Sequence, residues 1–165
     1  MEPLSDDEIA NGFINLSRRA AKAVQIPDLS AVDWGGLDFF SWRHPRTPDR
    51  AYLAIRYDGK PVAVELRAAA GRAASRTSMC EFCHTVHSMG SVRLFSAAKA
   101  GTAGRRGDTL GHYLCADLAC SAYVRGRKRP IRVQPATTAT PEERAEQVVR
   151  AVQGFVHRIT DGATA

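Results

Sequence analysis

Cys80-Glu81-Phe82-Cys83, answered after residues 84–114 by Cys115-Ala116-Asp117-Leu118-Ala119-Cys120, decides the fold. All 4 cysteines of the chain lie in these two pairs. A secreted disulfide scaffold would spread its cysteines. Here Asp6, Asp7 and Glu8 stand where a signal peptide would carry positive charge and then an apolar stretch. In a reducing compartment, two close pairs are better explained by a metal ion. Zinc takes about four thiolate or imidazole ligands in a tetrahedron, at roughly 2.3 Å for sulfur. A two-residue turn presents two sulfurs to one side of the ion, and the second pair must return from elsewhere in the chain.

The interval can bring it back. Ser91 to Lys99 reads as a strand, Gly101 to Gly107 as a glycine-rich turn, and Thr109 to Leu114 as the return strand. Cys115 ends that strand, and a helix from Asp117 to Val124 carries Cys120 in its first turn. A knuckle, a hairpin, and a helix supplying the last ligand make up the treble-clef arrangement. A redox Cys-x-x-Cys would leave Cys115 and Cys120 unexplained, and no βαβ pattern surrounds the motif. His84, His87 or His112 could each replace a thiolate, although the two pairs complete the shell without them. Four thiolates close the shell, so the expected ion is a structural Zn2+ that contributes folding free energy.

The rest of the chain frames this finger. Ser5-Asp6-Asp7-Glu8 is a capping box. Ile9, Phe13, Leu16, Ala20 and Ala23 then continue one amphipathic helix to about Val24, and Pro27 stops it. Trp34, Phe39, Phe40 and Trp42 form an aromatic-rich stretch before a loop at His44-Pro45-Arg46-Thr47-Pro48. Ala51 to Tyr57 and Val62 to Leu66 read as a hairpin around Asp58-Gly59, with Val62, Val64 and Leu66 on one side. Ala68 to Ser78 is a linker or short helix, and Pro135 to Thr140 a polar linker. Thr140-Pro141-Glu142-Glu143 opens a capped helix, with Ala145, Val148, Val149, Val152, Phe155, Val156 and Ile159 as its apolar face.

The fold expected is α+β: a β-hairpin or small antiparallel sheet and a treble-clef finger, flanked by N- and C-terminal helices. Its parts are an N-terminal helix (1–31), a strand region (32–71), the finger (72–132), and a linker with the C-terminal helix (133–165), forming one compact unit.

Composition narrows the function. A hydrophobic content of 44% with 24% charged residues excludes wholesale disorder. No run approaches the ~18 apolar residues of a membrane span. The expected location is therefore cytoplasmic, with no membrane partner. The net charge of +6 is uneven: residues 72–132 carry 11 Lys/Arg against 3 Asp/Glu, whereas each flanking segment is close to neutral. An acidic partner is implied there, either nucleic acid or an acidic protein surface. Arg93, Lys99, Arg105 and Arg106 fall on the expected hairpin, and Arg125, Arg127, Lys128 and Arg129 follow its helix. Phe82, Phe95, Tyr113 and Tyr123 interleave with them. The aromatics also suit a small core, and the basic tail also suits phosphate contacts with ribosomal RNA. No phosphate loop, open metal site or nucleophile–base pair supports an enzyme or a small-molecule substrate.

CEFCH (80–84), with GHYLCADLAC (111–120) across the long insert, resembles the C-terminal treble-clef finger of the FusB-type elongation factor G-binding proteins, associated with fusidic acid resistance. WGGLDFFSWRHP (34–45) and RAYLAIRYDGKPVAVELR (50–67) are similar to the strand region before that finger, so the resemblance runs from about Val32 to Lys128. The resistance proteins carry a helical bundle ahead of it, where this chain has one capped helix. The resemblance implies zinc ligation by Cys80, Cys83, Cys115 and Cys120. It also implies a finger that grips elongation factor G and promotes its release from stalled ribosomes without modifying the drug. Its candidate contacts are Phe82, Arg93, Lys99, Arg105, Arg106, Tyr113, Tyr123, Arg125, Arg127 and Lys128. The alternative is a ribosome-associated RNA-binding finger.

Overall fold

Asp58 and Gly59 both have positive φ, 49° and 73°, the geometry of a two-residue type I′ turn that matches strand twist. They join β2 (Arg50–Tyr57) to β3 (Lys60–Ala68), with Leu53 opposite Val64 and Tyr57 opposite Lys60. The computed structural model describes residues 1–70 and 77–161. Most of the linker or short helix expected over Ala68–Ser78 lies outside those residues.

Around this hairpin a five-stranded antiparallel sheet forms in the order β1-β2-β3-β6-β7. Its other strands are β1 (Phe40–Arg43), β6 (Val92–Ala98) and β7 (Thr109–Cys115). The short β4 (Ser78–Met79) and β5 (Val86–His87) pair separately. Strand β2 is buried from Ala51 to Ile55, so both sheet faces are covered. Alternation assigns the residues. Leu53, Ile55, Val64 and Leu66 join one core with the long C-terminal helix, whereas Tyr52, Ala54 and Ala63 join a second with Leu4, Ile9, Phe40 and Trp42.

The long helix, Pro141–Thr160, has the expected proline and capping box: Glu143 N–H donates to Thr140 Oγ1 at 3.1 Å, and Thr140 N–H to Glu143 Oε2 at 2.8 Å. It buries Ala145, Val148, Val152, Phe155, Val156 and Ile159. On the opposite face Trp42 stacks between Phe40 and Tyr52, with both ring centroids 5.0 Å away.

Two expectations need correction. The single N-terminal helix is two short ones, α1 (Asp6–Gly12) and α2 (Arg18–Lys22). Strand β3 pairs with β6 only at Arg67 and Ala68, which leaves backbone groups along its earlier edge in need of partners. The chain breaks to supply them: Ile14 N–H donates to Ala63 O at 3.0 Å, and Asn15 exchanges two 2.9 Å bonds with the Glu65 backbone. Gly12 permits this approach, since a Cβ there would sit 2.9 Å from Pro61 O. The expected turn at Gly101–Gly107 is instead a short helix, α3 (Gly101–Arg105), followed by a turn. A Cβ at Gly104 would collide with Lys99 O at 1.7 Å, so the glycine lets this helix close onto the end of β6. The remaining α-helices among the described residues are α4 (Cys120–Val124) and the long helix, α5.

Candidate metal centre

The first pair of cysteines sits on a knuckle between β4 and β5. Cys80 N–H donates to Thr85 O at 3.0 Å, and His84 N–H to Cys80 O at 2.9 Å. His84 takes a positive φ of 54° to close the turn. The second pair comes from the end of β7 and the first residue of α4. Leu118, with φ 56°, turns the chain between them. The expected helix from Asp117 therefore starts later, at Cys120, and Asp117 instead accepts a 3.1 Å bond from Ala119 N–H.

These elements bring four buried sulfurs together, all within 4.8 Å of one another. Cys80 and Cys120 Sγ are 3.7 Å apart, Cys83 and Cys115 Sγ 3.5 Å. A tetrahedron with zinc–sulfur bonds of about 2.3 Å has sulfur–sulfur edges of about 3.8 Å. The donors thus fit zinc in number, element and spacing, and they leave no open position for substrate. The crowded thiols compete for their protons. Hydrogen bonds from Cys115, then Cys120 and Cys80, hold the Cys83 thiol far below its ordinary value. The same kind of contact, with Cys115 first, pushes Cys120 well above its own. A cation among them relieves that competition, because it binds each sulfur as thiolate.

Around the sulfurs, Thr85 Oγ1 lies 3.3 Å from Cys83 Sγ, and His87 Nε2 lies 3.2 Å from Cys115 Sγ. Both side chains can donate to a thiolate and fix its direction. His87 thus stands beside the sulfur cluster. His84 is exposed, and His112 is held between Glu81 and Arg158 with Arg158 Nη2 2.6 Å from its Nε2. The supporting role of His87 has a sequence signal only in its place four residues beyond Cys83.

The contact candidates separate sharply. Phe82 is 2% exposed and packs edge-on against Phe39 at 6.1 Å and Phe155 at 5.6 Å, so it belongs to the core and offers no contact surface. Arg93 reaches Asp49 at 3.4 Å, Arg125 reaches Asp38 at 2.6 Å, and Lys128 reaches Asp117 at 2.6 Å. Arg127 pairs with Asp33. Tyr123 donates to Asp117 at 2.8 Å, and burial followed by that bond raises its phenol's pKa. Lys99 is half-buried beside Ile14 and Asn15. Arg105 and Arg106 are exposed on and after α3, and Tyr113 on β7 is 46% exposed.

A closed four-thiol centre at the meeting of knuckle, hairpin and helix, set on an antiparallel sheet, defines a treble-clef zinc-finger protein. The chain belongs to the FBP C-terminal treble-clef zinc-finger family, whose model matches residues 8–159. Among solved structures it is similar in fold to the fusidic acid resistance protein FusC, with a TM-score of 0.55 and 18% identity. That likeness covers 73% of this chain and 52% of FusC, so the chain spans about half the length of that relative. No curated protein matches it.

Proposed function

We propose that this protein binds translation elongation factor G through its zinc-finger face and promotes release of the factor from fusidic acid-stalled ribosomes. Membership of the FBP family carries the reading. In this reading Cys80, Cys83, Cys115 and Cys120 ligate a structural Zn2+, and the exposed Arg105, Arg106 and Tyr113, which have no ion pair among the described residues, are the contact residues. The action is protection of the target in the cytoplasm and requires no chemistry on the drug, in keeping with a metal shell that four thiolates fill. Among the described residues, no helix is long and apolar enough to cross a membrane.

The RNA-binding alternative drew on the basic surplus of residues 72–132. Folding offsets part of that surplus: Arg93, Arg125 and Arg127 are paired with Asp49, Asp38 and Asp33 from outside the segment, and Lys128 with the segment's own Asp117. Nucleic acid binding through several phosphates needs uncommitted cations, so the pairing favours a protein partner. Titration of zinc-loaded protein with elongation factor G tests the proposal. Saturable binding that disappears in Cys80→Ser is expected. Absence of binding by the wild type would reject it, and a steep inverse salt dependence of RNA binding would restore the alternative.

A further inference from the structure

Beside the metal centre a cavity of about 620 Å³ opens between the knuckle, the segment after α4 and the start of α5. Its lining includes His84, Lys128, Arg129 and Arg144, and none of the described residues that line it carries a carboxylate. Lys128 is committed to Asp117, but Arg129 has no ion pair among the described residues. Arg144 Nε is buried and has neither a hydrogen bond nor an ion pair there. A buried guanidinium nitrogen left without an acceptor is costly, and its natural partner is a carboxylate or phosphate oxygen.

The rest of the cavity is apolar or neutral, with Met79 and Pro135 among its walls. The segment that closes it is anchored by Gln134. The Gln134 side-chain amide both accepts from Val86 N–H and donates to Val86 O, each at 2.8 Å, as a neighbouring strand would. Just before that anchor Ile131 and Val133 are 91% and 95% exposed. Ile131 and Val133 follow Arg129 by two and four positions, in a segment whose Pro130 and Gln134 line the cavity, and this sequence of groups suits an occupant that is acidic and apolar together. A nucleic acid strand would seek an aromatic platform for its bases, whereas the cavity's tyrosine, Tyr123, is tied to Asp117.

We propose that this cavity is an acid-accepting docking site for a protein segment in which carboxylates alternate with aliphatic side chains. Arg144 and Arg129 receive the carboxylates, and Ile131 and Val133 cover the aliphatic groups. The inference rests on the reading that the chain acts by docking on a protein. It adds a face formed by the knuckle and α5, outside the hairpin.

The test uses the zinc-loaded full chain and two fluorescent probes: a short peptide of alternating Glu and Leu, and oligouridine RNA of equal charge. Expected is saturable peptide binding that weakens roughly tenfold or more in the Arg129→Gln/Arg144→Gln double variant. An Arg18→Gln/Arg19→Gln control, at two exposed arginines of α2 outside the cavity, should bind the peptide as the wild type does, and zinc content should be unchanged in both variants. No peptide binding by the wild type, equal binding by the double variant, or tighter binding of oligouridine at these arginines would overturn the proposal. A parallel titration with elongation factor G keeps the two readings apart. Binding of the factor by wild type and double variant alike sinks the cavity and leaves the function standing. No binding of the factor sinks the function, while the peptide arm still judges the cavity.

Discussion

Asp38 carries its carboxylate into the protein at 6% residue exposure. Arg125 makes this tolerable, and Ser121 holds the backbone in place. The Asp38 backbone N–H donates to Ser121 Oγ at 2.9 Å, and Arg125 grips the carboxylate through Nη2 at 2.6 Å and Nε at 3.4 Å. Ser121 and Arg125 lie in and just after α4, so this contact fastens the finger's helix to the chain leading into β1. That pairing also raises the Arg125 pKa, chiefly through the hydrogen bond with Asp38. Removing one member of a buried pair costs more than removing both, because the survivor keeps its desolvation penalty without its partner. Arg125→Leu should therefore destabilise the fold by about 3 kcal/mol. Arg125→Leu/Asp38→Leu should cost less than the single change. Denaturant midpoints at constant zinc check both.

At the scale of elements, the outer edge of β3 is protected by a side chain rather than by a strand. Asn15 presents its amide to the Glu65 backbone as a neighbouring strand would. Asn15→Ala should expose that N–H and C=O, cost on the order of 2 kcal/mol for two lost bonds, and leave an edge prone to pairing with other chains. Faster hydrogen exchange at Glu65 and concentration-dependent association are the readouts. This edge also marks what the sequence could reveal. The type I′ turn, the capping box at Thr140 and the cysteine knuckle were legible because each depends on residues a few positions apart. The break between α1 and α2 was not, since Ile9, Phe13 and Leu16 keep helical spacing through it. What ends α1 is the unpaired edge of β3, a strand some fifty positions away in the chain. The fate of Phe82 was hidden in the same way: its place inside the core is set by Phe155 of the last helix. Arg144, whose Nε has no hydrogen-bond partner among the described residues, became visible only once α5 lay beside the knuckle.

For the molecule as a whole, the metal centre ties the knuckle, the end of β7 and the start of α4 to one point, while Phe82 inside the knuckle anchors the same point to α5. Stripping the ion should loosen the finger and with it the packing of the C-terminal helix. Chelation is expected to reduce the cooperative thermal transition and near-ultraviolet circular dichroism, and stoichiometric zinc should restore both. The pH dependence has a fixed sign. Zinc requires thiolates, so falling pH favours protonated sulfur and released metal, whereas rising pH favours the loaded fold. Zinc release followed with a colorimetric chelator across an acid titration should show it.

The ionic clasps between finger and scaffold bear on how a partner is met before any contact forms. Residues 33, 38 and 49 bring negative charge beside the finger's cations, so the field of that lobe is partly neutralised and more diffuse than its sequence charge alone implies. A diffuse field steers approaching molecules weakly. Encounter with a partner should consequently be slow to respond to ionic strength, and selectivity should be exercised after collision, through the dissociation rate.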